Sequence, residues 1–136
     1  MNTKGIKSKE KRILLVDDDK NIYYSLQMIF EGKPYIVDYV ENCTAAVKMI
    51  KKAAYDLILM DIMLPRKSGI LCMDSIKKIR PQMHIMLLTA VNHVQACREA
   101  FLKGACDYMT KPFPPDDLLK RVEDIFKSKS KRVAAG

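Results

Sequence analysis

Hydrophobic and polar positions along this chain alternate between two rhythms. Five short apolar runs, Arg12–Asp17, Tyr35–Val40, Asp56–Met60, His84–Thr89 and Cys106–Thr110, are each bounded by charged, Gly or Pro residues, as strand ends are. Between them the apolar residues recur at helical intervals. Ile22, Leu26, Ile29 and Phe30 form one stripe, and Cys43, Ala46, Val47 and Ile50 another. Val94, Cys97, Ala100 and Phe101 repeat the pattern, as do Leu118, Val122, Ile125 and Phe126. Intervals of three and four place each set on one face of a helix. A less regular helix is predicted over Gly69–Ile79, with Cys72, Ile76 and Ile79 as its stripe. Asn42 and Asn92 stand at expected N-caps. Pro114-Pro115 ahead of Asp116 fits a helix entry, where proline in the first turn is tolerated.

Strict alternation of strand and helix predicts an α/β fold, a five-stranded parallel sheet with helices on both faces. Runs 13–16, 57–60 and 85–88 are wholly apolar, as strands buried on both faces must be. The second run contains Asp38 and the fifth contains Asp107 and Thr110, which marks those two as edges. The order 2-1-3-4-5 puts them there. In a doubly wound sheet of that order, the ligand crevice lies at the carboxyl ends of strands one and three, where the connections change direction.

Length and composition narrow the class. A chain of 136 residues suits one domain with its own core, and 49% hydrophobic residues is in the globular range. No apolar run approaches a membrane span, and Met1–Arg12 is polar and lysine-rich, unlike a secretory signal. A cytoplasmic protein without membrane contact is the expectation. Cys43, Cys72, Cys97 and Cys106 include no CxxC pair and fall among predicted helices and one strand. They are expected to be buried reduced thiols rather than disulfides or metal ligands.

The formal charge of +8 invites a nucleic-acid reading, so its location matters. Residues 1–12 contribute +4 and residues 127–136 another +4, while 13–126 carry 15 basic and 15 acidic residues. The basic character therefore belongs to an N-terminal extension, 1–11, and a C-terminal tail or linker, 128–136, flanking a domain over 12–127. No basic stripe crosses the fold, so specific nucleic-acid recognition is not expected, and the tails read as solvated ends.

The carboxyl end of strand one is Asp17-Asp18-Asp19, and that of strand three is Asp61. In the predicted order these ends are neighbours, and several carboxylates would crowd into one crevice. A hard divalent cation such as Mg²⁺ removes the conflict. Asp19, just ahead of the helix, suits an N-cap. Strand four ends at Thr89 and strand five at Lys111-Pro112, bringing a hydroxyl donor and a cation to the same rim. That set suits phosphoryl transfer to a carboxylate. Asp61 would be the nucleophile, the metal and Lys111 would offset charge on the phosphoryl oxygens, and Thr89 would donate a hydrogen bond. His84 and His93 have no second histidine or cysteine at ligand spacing and are read as surface or cap-proximal residues.

In this set, in this order, the sequence resembles the response-regulator receivers of two-component signalling. The residues that carry the resemblance are Ile13-Leu-Leu-Val-Asp-Asp-Asp19, Asp56-Leu-Ile-Leu-Met-Asp61-Ile-Met-Leu-Pro65, Ser68-Gly69, Leu88-Thr89-Ala90 and Lys111-Pro112-Phe113. The match runs from about Arg12 to Phe126 and implies a flavodoxin-like (βα)5 fold. It implies that Asp61 is the phosphoacceptor and that Asp17, Asp18, Asp61 and the Met63 backbone carbonyl hold Mg²⁺ or Mn²⁺. Thr89 and Lys111 match the family's phosphate-contacting pair, and the Lys111–Pro112 bond is expected to be cis. Tyr108 matches the aromatic that moves inward as Thr89 meets the phosphate. The partners implied are a sensor histidine kinase or phosphotransfer protein and a downstream protein or output domain; a phosphorylation-linked dimer is compatible with the resemblance. Arg66-Lys67 depart from the family pattern, being two basic residues where many receivers carry one small and one apolar residue.

Three rival readings differ in chemistry. A haloacid-dehalogenase-type phosphatase would need an acid two residues after its nucleophile, and position 63 is Met. A degenerate receiver, binding protein without taking phosphate, would usually lack one of the acids or the lysine, all of which are here. A specific nucleic-acid binder would need a recognition element that the sequence lacks.

Overall fold

The computed structural model of the chain describes residues 10–90 and 94–135. Five strands, β1 (Lys11–Val16), β2 (Tyr35–Val40), β3 (Leu57–Asp61), β4 (Ile85–Thr89) and β5 (Asp107–Thr110), form one parallel sheet in the order β2-β1-β3-β4-β5. The helices are α1 (Lys20–Ile29), α2 (Cys43–Lys52), α3 (Gly69–Ile79), α4 (Val94–Leu102) and α5 (Pro115–Ala135). The predicted architecture and strand order are those observed, with no strand end displaced by more than one residue.

Alternation along the central strands divides the core in two. Leu14, Val16, Ile58, Met60, Ile85 and Leu87 face α2, α3 and α4, where Ala46, Ile50, Met73, Ile76 and Ala100 pack on them. Ile13, Leu15, Leu57, Leu59, Met86 and Leu88 face α1 and α5, against Leu26, Leu118, Val122 and Phe126. Burying each such large apolar side chain contributes about 1.5–3 kcal/mol, which is why three wholly apolar strands sit in the middle.

Local chemistry closes each element. Asp19, Asn42 and Ser68 cap α1, α2 and α3, their side chains accepting from the amides of Asn21, Ala45 and Leu71. The predicted cap Asn92, like His93, lies outside the described residues. Helix α4 ends on Gly104 at φ +105°, with Ala105 N–H donating to the Ala100 carbonyl and Gly104 N–H to that of Phe101. That left-handed stop favours glycine. Phe101 is 48% exposed, not buried as its spacing predicted. Helix α5 opens at Pro115 with Asp116 and Asp117 in its first turn, favourable at the positive helix end. It runs on to Ala135, through the segment read as a tail, where no Gly or Pro intervenes before that point. Among the described residues no helix is long and apolar enough to cross a membrane.

The cysteine expectation is corrected. Cys43 at the start of α2 and Cys72 in α3 are joined by a disulfide. The two helices pack side by side on one sheet face, so residues 29 apart in sequence meet. Cys106 is exposed, just ahead of β5. The Cys97 side chain lies outside the described residues.

Candidate functional site

Four strand ends meet at one rim. Asp17 directly follows β1, and its amide continues the ladder to the Val40 carbonyl at 3.1 Å. Its carboxylate is fully buried. Oδ1 accepts from the Asp19 amide at 2.9 Å, and Oδ2 accepts from Lys111 Nζ at 2.8 Å. Asp61 closes β3 and is paired in register with Leu88 of β4. Its Oδ1 accepts from the Met63 amide at 3.0 Å, and its Oδ2 from Lys111 Nζ at 3.2 Å. Thr89, which ends β4, is 1% exposed. The Lys111 amide donates to the Thr89 carbonyl at 2.6 Å, which fixes the start of the lysine stem beside β4. The Lys111–Pro112 peptide bond is cis, as the resemblance implied.

The electrostatics are those of crowded acids sharing one cation. Burial pushes the Asp17 carboxyl above its ordinary range, against the hydrogen bonds from Lys111 and the Asp19 amide; the nearby Asp61 charge pushes the same way as burial. For Lys111 burial works downward, but the bonds and charges of Asp17 and Asp61 outweigh it and raise the ammonium above its usual value. Asp17, Asp18 and Asp61 each offer a carboxylate oxygen within 4.8 Å of the others, with Asp18 exposed to solvent. Three carboxylate oxygens, two from buried residues and one from an exposed one, fit a hard divalent cation such as Mg²⁺.

The loop between β3 and α3 holds features the sequence did not single out. A Cβ on Gly69 would overlap the Asp61 carbonyl oxygen and lie 2.9 Å from Ile62 Cα. Only glycine lets the start of α3 close against the backbone of Asp61, and the Gly69 amide fastens it there with a 2.7 Å bond to the Ile62 carbonyl. The Ser68-Gly69 pair was visible, but its fit against Asp61 is a matter of three dimensions. Arg66 sits at φ +66°, in the left-handed region uncommon for a non-glycine residue.

Tyr108 stands apart from the acids. It pairs in register with Leu87, further along the sheet than Thr89, which pairs with Thr110. Its ring is half-buried and meets Phe101 edge-on at 5.8 Å. The Met63 side chain is 62% exposed; the part of the residue seen at the site is its amide.

A doubly wound sheet with an acid cluster, a buried hydroxyl and a lysine at its carboxyl edge defines an aspartate-centred receiver. The chain belongs to the response regulator receiver domain family, whose profile matches residues 13–123. The transcriptional regulatory protein ResD of Bacillus subtilis is 37% identical over 123 residues, 89% of this chain and 50% of ResD. DltR of Streptococcus agalactiae, also named a transcriptional regulatory protein, is 35% identical over 82% of this chain and 50% of its own length. The chemotaxis protein CheY of Halobacterium salinarum is 34% identical over 85% of this chain and 96% of CheY. The chain thus spans about half the length of the two transcriptional relatives and nearly all of the chemotaxis protein. Among solved structures, a CheY-like receiver domain protein from Methanospirillum hungatei superposes with a TM-score of 0.85 at 30% identity, covering 91% of this chain and 99% of that one. A BeF3-activated DrrB receiver domain gives 0.78 at 31% identity, covering 87% and 98%. Membership places this chain among the phosphorylation-dependent signalling domains of two-component systems.

Proposed function

We propose that the domain is a switch that accepts a phosphoryl group on Asp61 from a histidine kinase or phosphotransfer protein and loses it to water. The observation that carries this reading is Lys111 Nζ lying between Asp17 and Asp61, at 2.8 and 3.2 Å, with Thr89 ending the adjacent strand. A carboxylate oxygen of Asp61 attacks the phosphorus, and the donor's bond to phosphorus breaks, with the leaving group keeping the electron pair. Lys111 and the Thr89 hydroxyl offset charge on the phosphoryl oxygens. Asp17, Asp18, Asp61 and the Met63 carbonyl would hold Mg²⁺ or Mn²⁺, whose charge stabilises the same oxygens. Water later attacks the phosphorus of the acyl phosphate, releasing inorganic phosphate and restoring the Asp61 carboxylate. The domain thus promotes its own phosphorylation and dephosphorylation and transforms no separate metabolite.

The signal leaves through packing. Thr89 and Lys111, drawn toward the new charge, open space that Tyr108 enters, and the face made by α4, β5 and α5 shifts its two-state equilibrium. A downstream protein or output domain reads the change through its differential affinity for the two states. Intact-protein mass after incubation with Mg²⁺ and acetyl phosphate tests the proposal. One added phosphoryl group, absent in Asp61→Asn and in chelator, is expected. A group that survives Asp61→Asn refutes the assignment of the nucleophile, and no gain in the parent favours a degenerate, phosphorylation-independent binding module.

A further inference from the structure

A second charged feature lies outside the acid rim. A groove of about 450 Å³ runs between α2 and the β3–α3 loop. Its rim carries four cations, Lys48 and Lys51 of α2 and Arg66 and Lys67 of the loop, and Val47 and Pro65 line it. No acidic residue lines it.

Several cations elsewhere on the fold are paired with acids, and among the described residues these four are not. Arg12, Lys33, Lys103, Lys111, Lys120 and Arg121 each lie within 4.0 Å of a carboxylate. Among the described residues none of the four groove cations makes an ion pair, and Lys67 donates to the Ser75 hydroxyl at 2.8 Å. In a stretch that is neutral by count, this is a local excess of positive charge. Lys48 and Lys51, three apart on one helix, project from the same face. The opposite wall is fixed to α2 covalently, because the disulfide ties Cys43, itself a lining residue, to α3.

The kind of anion follows from how the charges are spaced. Compact phosphate sites are built from free amides at helix N-termini. Here the caps take one first-turn amide at each helix start, Asn42 accepting from Ala45 N–H and Ser68 from Leu71 N–H. The charge of the groove itself is four cations on long flexible stems around apolar lining residues. That arrangement suits carboxylates spaced along a chain with an apolar residue between them. We propose that this groove docks an acidic, partly apolar segment of a partner protein. The site is separate from phosphoryl chemistry, but its Arg66 and Lys67 lie on the loop that leads out of Asp61, so the bound segment holds its protein beside the phosphorylation rim.

The test is fluorescence anisotropy with the full chain and a short fluorescein-labelled peptide rich in Glu with interspersed Leu, at low salt. Saturable binding is expected, weakened at least tenfold by Lys51→Glu with Lys67→Glu and left within twofold by Lys78→Glu with Lys127→Glu, two exposed cations outside the groove. Circular dichroism melts confirm that both variants fold. Absence of binding, or equal loss in both variants, overturns the proposal in favour of diffuse attraction. Displacement by pyrophosphate at concentrations where chloride of equal ionic strength has no effect overturns it in favour of a small-anion site. Labelling of Asp61 by acetyl phosphate is measured on the same proteins. Its failure alongside intact peptide binding removes the phosphorylation reading and leaves the docking groove standing.

Discussion

Replacing Gly69 with alanine tests whether the start of α3 sets the position of Asp61. Within an ordinary helix, glycine to alanine stabilises by about 0.5–1 kcal/mol, because alanine has less freedom to lose on folding. Here the sign reverses. The added Cβ would overlap the Asp61 carbonyl oxygen, with Ile62 Cα at 2.9 Å and the Asp61 carbonyl carbon at 3.1 Å. All three are backbone atoms, so no side-chain rotation relieves the contact. The strand cannot retreat freely either, since Ile62 N–H donates to the Leu88 carbonyl at 3.1 Å. Inserting a methyl group into a packed site costs about 1–3 kcal/mol. Set against the helical gain, the net loss is about 1–2 kcal/mol, or roughly 3–8 °C in the thermal midpoint for a domain of this size. Thermal and urea unfolding read the stability, and the rate of phosphoryl gain from acetyl phosphate reads the placement of Asp61. Labelling should slow because the shifted atoms belong to Asp61, the residue proposed as nucleophile. Gly32→Ala is the comparison. At φ +81° with no atom within 4 Å of its Cβ, it should lose about 1 kcal/mol to backbone conformation alone and leave labelling unchanged. A Gly69→Ala protein as stable as the parent, and labelled as fast, refutes the argument.

Lys111→Met leaves the buried Asp17 and the nearby Asp61 without their cation; in chelator it should lose about 2–4 kcal/mol by urea unfolding, less in millimolar Mg²⁺, and a loss indifferent to Mg²⁺ would contradict a cation site there. Because burial raises the Asp17 carboxyl in the folded state, the folded protein binds that proton more tightly than the unfolded chain does. Metal-free stability therefore falls as pH rises from about 4 through the raised value, and Asp17→Asn should flatten that slope and raise the neutral-pH midpoint; an unchanged slope would show that Asp17 ionises without penalty. Reducing the Cys43–Cys72 bond, which spans 29 residues, should cost about 3–4 kcal/mol by loop-closure entropy, read as a lower urea midpoint in dithiothreitol that a Cys43→Ala/Cys72→Ala protein does not show.

The strand order was legible because burial on two faces leaves a compositional mark. Ile13–Val16 and Leu57–Met60 carry no polar residue, whereas Asp38 on β2 bonds Arg12 and Tyr55 at 2.7 and 2.6 Å, a place open only to an edge strand. Once the order is fixed, the ends of β1, β3, β4 and β5 must converge, so Asp17, Asp61, Thr89 and Lys111 were legible too. The disulfide was not. Pairing depends on how α2 and α3 lean on one another, and a single chain records no distance between Cys43 and Cys72. The end of α5 was equally silent. Past Phe126 the chain turns basic and nearly devoid of large apolar residues, so no stripe signals a helix that propensity alone can continue. The groove cations were visible only as an oddity of the Arg66-Lys67 loop; their convergence with Lys48 and Lys51 needed the fold.

The rim shows why residues gathered for the proposed chemistry work against stability. A buried carboxylate at position 17 is unfavourable, and an apolar residue there would extend the core of β1 without the desolvation penalty. Asp17 instead accepts from Lys111, which reaches across from β5 and contacts Asp61 with the same nitrogen. One lysine thereby spans the two acids and couples the ends of β1, β3 and β5. Any added negative charge on Asp61 competes with Asp17 for that ammonium, and the competition bears on the residue that directly follows Thr110. The geometry links the charge of the rim to the position of β5, and Tyr108 lies on that strand two residues before Thr110. A Lys111→Arg protein separates charge from geometry: it keeps the cation, but its donors are fixed in one plane where an ammonium presents three rotatable N–H groups on one nitrogen. It should retain more stability than Lys111→Met, yet transmit the charge of Asp61 to Tyr108 less well, as read by the change in tyrosine fluorescence on phosphorylation. Equal transmission by lysine and arginine would show that the link runs through charge alone.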